Sequence, residues 1–301
     1  MADTSNKIRI AVVGGGPGGL FATYIINQRI PKANITLFEA THACGGKIRT
    51  DSFPGTGSGY DTIEYEAGVA ELYEYLGATK DPLRTLIETD LGLETINISG
   101  GTVILCGEIL RDMDEVEEAH GYDTRKLIDS FYQKTEDLMP LEKYTTRWQP
   151  DNEHPWANDT FRKFIKDELG DNDIACCYIE TAVHSDLATE SHTCNGLNGI
   201  KNILMDNQDY IQVYHVIGGI ESVSDALLNR ISADIRVSTR VTCIKKQGEN
   251  QDSPTYCVST LSVDDETITE DEEEFDIVVV AIPNHWLRMI HWEGKLYDSI
   301  H

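Results

Sequence analysis

Basic side chains are scarce in this chain. Lysine and arginine number 25 against 51 aspartates and glutamates, so the 301 residues carry a formal charge of -26. Such a surface repels nucleic-acid phosphates and anionic headgroups, which excludes a nucleic-acid role. No apolar run is long enough to cross a bilayer, and the opening MADTSNKIRI lacks the apolar stretch of a secretion signal. Seven cysteines, an odd number without CxxC spacing, offer no disulfide framework and point to reduced thiols in a cytoplasmic protein. Neither metal nor nucleophile chemistry has a good foothold. His184 and His192 share no helical turn or strand face with a third ligand, and the serines of HSDLATESH (184–192) lack a nucleophile elbow. No internal repeat is present.

The acidity is concentrated in DDETITEDEEEFD (264–276), nine carboxylates without one base, which reads as a solvated hairpin tip or loop. The remainder, 40% hydrophobic, is patterned as a globular protein with room for one large domain or two smaller ones. KIRIAVV (7–13) predicts a buried strand and GGLFATYIINQR (18–29) a helix with Leu20, Tyr24 and Asn27 on one side and Phe21 and Ile25 near it. NITLFEA (34–40) predicts a second strand, completing a βαβ unit with a parallel sheet. GGTVILCGEIL (100–110) reads as a hairpin about Cys106-Gly107, and residues 124–210 turn helical, interrupted by Pro150 and Pro155. Extended runs return at 209–219, at 234–246 and 255–263 as a strand pair, and at 275–283 as another buried strand. Trp148, Trp156, Trp286 and Trp292 read as core or interface aromatics, with NHWLRMIHW (284–292) the best interface candidate.

Between the first strand and helix lies Gly14-x-Gly16-x-x-Gly19. The first glycine permits a tight turn, the second lets a pyrophosphate approach the backbone, and the third allows close packing of helix on strand. The helix N-terminus supplies free N–H groups and a favourable dipole. Glu39 follows Gly19 by 20 residues, at the end of the second strand, where a carboxylate can bond ribose hydroxyls. A bound dinucleotide is the expectation. Which one stays open on these residues.

Just beyond Glu39 come Gly45-Gly46-Lys47, then YEAGVAEL (65–72), GGIESVSDALLNRI (218–231) running into IRVSTRVTCI, and FDIVVVAIP (275–283). In this order they resemble the FAD-dependent amine oxidase superfamily, which includes monoamine, polyamine and L-amino-acid oxidases. The resemblance implies an α/β fold. Its Rossmann-like FAD-binding domain, over 1–80 and 212–295, would carry an inserted, largely helical substrate domain over 81–211. It implies that Gly14, Gly16, Pro17, Gly18 and Gly19 hold the pyrophosphate, Glu39 with Ala40 the ribose, and Val241 the adenine through its backbone. Gly45, Gly46 and Lys47 would support the phosphate and ring end, with Gly68 and Val69 beside the ring. Lys47 stands where the family usually has arginine, keeping the charge but losing the planar fork. Glu71 stands where L-amino-acid oxidases carry arginine, which favours cationic amines.

By the same resemblance, an amine or amino acid would pass hydride to the flavin and leave as an imine, with O2 reduced to H2O2. The close rivals are a desaturase or protoporphyrinogen-oxidase-like enzyme and a non-catalytic FAD-binding subunit. The family's second flavin motif has no counterpart in the 301 residues, which raises the expectation of a second polypeptide completing the site.

Overall fold

The computed structural model describes residues 7–54, 62–77, 81–99, 103–145, 155–247, 255–264 and 267–293. Trp148, Pro150, Asp265 and Glu266 lie outside them. The chain divides into two units. One comprises Met1–Ala70, Ile87–Glu94 and Val216–His301, the other Glu71–Leu86 and Thr95–His215.

In the first unit the β-branched run forms β1 (Arg9–Val13), the glycine turn leads into α1 (Pro17–Arg29), and β2 (Asn34–Phe38) returns parallel to β1. Asp234–Arg236 pairs with the outer side of β2 and Ile277–Val280 with the other side of β1, giving a four-stranded parallel sheet. Alternation sorts its faces. Ala11 and Val13 pack with Phe38, Val241, Val258 and Phe275 in one cluster, while Val12 lies against the base of α1 at Gly19. On the helix, Leu20, Thr23 and Tyr24 are buried, whereas Phe21 is 41% exposed and does not join the packed stripe. Ile277–Val280 is also less buried than its composition suggests, because it is an edge strand with Ile277 exposed.

A second sheet in this unit runs in the order Thr267–Phe275, Thr255–Asp264, Thr239–Gln247, His291–Glu293. The expected single strand over 234–246 is two strands. Ser238, at φ 50°, turns the chain out of the parallel sheet and into this one. The acidic run is corrected as well. Thr267–Phe275 is a strand rather than a hairpin tip or loop, exposed along nearly all its length and paired on one side with Thr255–Asp264. Its charges keep a free edge from recruiting another strand. Arg236 pairs with Glu273 and Arg9 lies 3.8 Å from Glu274, so part of the charge is met within the unit.

In the second unit helices Tyr122–Leu138, Phe161–Leu169, Asp173–Leu187 and Gly196–Ile203 enclose Ile128, Phe131, Phe164, Ile179 and Ile200, all at most 1% exposed. Thr160, Asn172 and Asn195 cap three of them through side-chain oxygens on Lys163, Ala175 and Asn198 amides. Gly199 has to be small, since a Cβ there would lie 2.1 Å from the Phe161 ring. Strands Leu72–Tyr75, Ile211–Val216 and Thr95–Asn97 form the accompanying sheet. The hairpin about Cys106-Gly107 is present. Val103–Leu105 pairs with Glu108–Leu110 through a two-residue turn, and both turn residues have positive φ, as a type I′ turn requires.

Candidate functional site: a glycine cradle and an acidic cleft

The cradle begins where β1 ends. Gly14, at φ 105°, donates its N–H to the Phe38 carbonyl at 2.8 Å, which pins the turn to β2. Gly16 is the N-cap of α1, and no side chain caps the helix or places a carboxylate in its first turn. Pro17 has no N–H, so Gly18 and Gly19 open the helix with amides at the positive end of its dipole. Gly19 is tight against the turn: a Cβ would lie 1.8 Å from the Gly14 carbonyl oxygen. Gly16 and Gly18 differ. A Cβ on Gly16 would meet nothing nearer than Gly46 Cα at 3.7 Å, and one on Gly18 nothing nearer than the Ala281 methyl at 4.0 Å. Those two are bare on the outside, where a ligand would approach.

Glu39 closes one end. The residue is 9% exposed, and Oε2 accepts from Gly15 N–H at 2.7 Å while Oε1 accepts from the Thr41 N–H and hydroxyl, each at 2.8 Å. About four acceptor positions are available on a carboxylate, so a diol donor can still be taken. Ala40 is exposed beside it. Ser238 and Thr239 donate N–H bonds to the Thr41 and Glu39 carbonyls, which starts the strand Thr239–Gln247 against this corner. Val241 follows at a register irregularity, with its side chain buried in the core, so only its backbone can address a ligand. Cys44 packs over Gly15, its thiol pushed up by burial and then by the charge of Glu39.

The GGK turn closes over the first glycine turn. Gly45 N–H donates to the Gly15 carbonyl at 2.9 Å, and Gly46, at φ 60°, presses its bare face onto Gly16, with a Cβ position 3.0 Å from Gly16 Cα. Lys47 is exposed; its carbonyl accepts from Val69 N–H at 3.2 Å. A Cβ on Gly68 would lie 1.9 Å from that same carbonyl oxygen. Thus Gly68 is needed by the protein itself, beside any role toward a ring. Gly68→Ala is expected to destabilise the first unit by about 2–3 kcal/mol in urea unfolding, as overpacking against fixed backbone does. These glycines leave an exposed strip of backbone and an uncapped helix start, with an acidic acceptor at one end and a lysine at the other. Phosphates, ribose and a flat ring in extended order fit that surface.

Sequence reasoning missed a bracing network on the far side of the GGK turn, at β3 (Thr50–Pro54) and β4 (Thr62–Glu66). Thr50 donates its N–H to Glu221 and its hydroxyl to Glu66, at 2.8 and 2.9 Å, and Glu66 also accepts from Ile220 N–H at 2.8 Å. Gly219, at φ 90°, fits because a Cβ would lie 2.4 Å from the Thr50 hydroxyl. The only available signal was the Gly218-Gly219 pair ahead of a helix.

The second unit holds a cleft of about 840 Å³, a size that suits a small ligand. Glu71 lies here, accepting from the Tyr73 hydroxyl at 2.5 Å. Tyr132, Tyr178 and Asp206 also line it. Burial pushes the Tyr132, Tyr144, Tyr178 and Tyr210 hydroxyls up, followed by Asp206 for Tyr132 and Tyr178, by Tyr75 for Tyr144 and by Glu136 for Tyr210. Their folded values exceed the unfolded value near about 10, so this contribution to stability is complete below about pH 10 and is lost as pH rises through the folded values. Tyrosinate absorbance at 295 nm should therefore appear for these four only above the range of a free phenol, and Tyr132→Phe should flatten the alkaline loss of stability.

Residues 18–296 match the family described as flavin containing amine oxidoreductase. A wild-type putrescine oxidase bound to putrescine superimposes with a TM-score of 0.64 at 19% identity, over 95% of this chain and 60% of that one. Cyclohexylamine oxidase from Brevibacterium oxydans IH-35A gives 0.65 at 17% identity, over 98% and 62%. A protein from Exiguobacterium sp. 255-15, provisionally described as a protoporphyrinogen oxidase, gives 0.56 at 19% identity, over 95% and 61%. The chain thus spans about three fifths of the length of these structures. No curated protein matches it significantly.

Proposed function

The chain belongs to the flavin-containing amine oxidoreductases, whose cofactor is FAD, and we propose that it serves oxidation of the C–N bond of an amine or amino acid. The observation that carries this reading is the apposition of Gly46 on Gly16, beside the Glu39 carboxylate and the uncapped start of α1. In this reading the first unit is a Rossmann-like FAD-binding domain and the second an inserted substrate domain. The amides of Gly18 and Gly19 address the pyrophosphate, with Gly14, Gly16 and Pro17 shaping the approach. Glu39 and Ala40 take the adenosine ribose and the Val241 backbone the adenine. Gly45, Gly46 and Lys47 hold the phosphate and ring end, with Gly68 and Val69 alongside the ring.

When bound, FAD would supply two-electron oxidation, taking a hydride from the carbon next to nitrogen as the nitrogen gives up a proton to leave an imine, with O2 the final acceptor, reduced to H2O2. The chain's own residues bind, orient and keep water from the reacting atoms. None of them is assigned as acid or base. The comparisons lend no support to a second polypeptide, and among the described residues no helix is long and apolar enough to cross a membrane.

A second reading has the Exiguobacterium structure in its favour, a desaturase or protoporphyrinogen-oxidase-like activity on an apolar substrate. Anaerobic mixing of the FAD-loaded protein with amines and amino acids separates the two. Loss of flavin absorbance near 450 nm with amines supports the proposal. Flavin that no amine or amino acid bleaches rejects it in favour of the apolar substrate or of a subunit that only binds FAD.

A further inference from the structure

Resting on that reading, we propose that Glu66, together with Thr50 and Glu221, is the positioning element of the flavin end, fixing the GGK turn with Gly68 and Val69 independently of the adenosine end. The helix Glu221–Leu228 begins without a side-chain cap of its own. Its start is held from elsewhere. Ile220 donates its N–H to Glu66 at 2.8 Å, across 154 residues of sequence, and Glu221 donates its N–H to the Thr50 hydroxyl at 3.2 Å. A serine or aspartate at the N-cap would satisfy such donors locally. A carboxylate brought from β4 does more than a local cap, because it also fixes where β4 lies.

The strip assigned to the ring grows directly out of that junction. Thr50 pairs with Glu66 in the β3–β4 ladder, and the next bonds toward the turn are Ala67 N–H on the Arg49 carbonyl at 2.8 Å and Val69 N–H on the Lys47 carbonyl at 3.2 Å. The turn is thus held at both ends over one helix. At one end Thr50 donates its N–H to Glu221 and its hydroxyl to Glu66, and at the other a Cβ on Gly45 would lie 4.0 Å from the Ser224 hydroxyl. The adenosine corner has its own bracing: Glu39 accepts from the Gly15 and Thr41 amides, and Ser238 and Thr239 donate to the Thr41 and Glu39 carbonyls. Two ends braced by different bonds can be loosened one at a time. A loosened ring end has to be ordered when the cofactor docks, and that ordering is subtracted from the binding free energy.

The test titrates the full chain with FAD by flavin fluorescence and competes the cofactor with ADP, which carries the adenosine and pyrophosphate without the ring. Glu66→Ala should weaken FAD at least about 30-fold and leave ADP within about twofold of wild type. Glu66→Gln keeps an acceptor for Ile220 and a polar group for the Thr50 hydroxyl, so it should restore FAD affinity to within about threefold. Circular dichroism checks that each variant is folded. If Glu66→Ala unfolds, Thr50→Val takes its place, since it removes one hydroxyl and keeps the N–H bond to Glu221; FAD should then weaken about tenfold with ADP unchanged. Four results would overturn the proposal: unchanged FAD affinity in the folded variant, ADP weakened in step with FAD, ADP that does not displace FAD from the wild type, or a Gln variant as weak as the Ala variant. The wild-type titration keeps the two readings apart. A chain that holds no FAD removes the proposed function, whereas one that holds FAD equally with and without Glu66 removes only this inference.

Discussion

Gly16→Ala should weaken FAD binding at least about 100-fold, close to 3 kcal/mol, and leave the urea midpoint of the protein unchanged. Both halves of that result follow from one position. The backbone at Gly16 is at φ -72° and ψ -179°, which alanine adopts without strain, and the nearest atom to its Cβ is Gly46 Cα at 3.7 Å. The folded protein therefore accommodates the methyl. A pyrophosphate seated on the opening of α1 does not, because it needs the backbone within hydrogen-bonding distance. Gly19→Ala is the contrasting case. Its Cβ would lie 1.8 Å from the Gly14 carbonyl, so the strand and helix must separate and the fold loses about 3 kcal/mol before any ligand is considered. Flavin fluorescence titrations beside urea curves read the two effects separately. A Gly16→Ala protein that holds FAD with wild-type affinity would move the phosphate site elsewhere.

Glu39→Ala combines the two losses. The carboxylate accepts three hydrogen bonds, one of them from the buried Gly15 amide, and removing it leaves that donor without its acceptor. A destabilisation of about 2–4 kcal/mol is expected from the lost charge-assisted bonds and the stranded amide. Glu39→Gln keeps the volume and one acceptor, so it should stay folded while FAD affinity falls about tenfold through the ribose. FMN, which has no adenosine, should be indifferent to the Gln substitution. Equal weakening of both nucleotides would mean that Glu39 acts on the flavin end or only through the fold.

The βαβ unit was legible because three signals coincide in few residues: a β-branched run, glycines that stop it, and an acid at the end of the next apolar run. The GGK turn was legible only in the company of the segments around it, and its mechanical role was not. That Gly46 lies on Gly16, and that Gly68 is small because of the Lys47 carbonyl, are contacts between backbones far apart in sequence, with no periodicity to announce them. The acidic run misled for a different reason. A strand at a sheet edge with its faces in solvent needs no apolar alternation, and Thr267–Phe275 is held by its ladder to Thr255–Asp264 and by Arg236 on Glu273. The split of 234–246 turned on the dihedral of one residue, Ser238, whose type does not advertise a positive φ. Thr50, Glu66 and Glu221 escaped because a polar network is a property of three separated segments, and each member alone reads as a surface side chain.

The central claim is that the first unit binds a dinucleotide along its whole length, adenosine at Glu39 and Val241 and the flavin end at the GGK turn. A side-by-side titration of the full chain with FAD and FMN, followed by flavin fluorescence and confirmed by equilibrium dialysis, tests it most directly. The expected result is one FAD per chain, with FMN at least about 100-fold weaker for want of the adenosine contacts. Equal affinities for FAD and FMN, or no flavin retained by the folded protein, would contradict it.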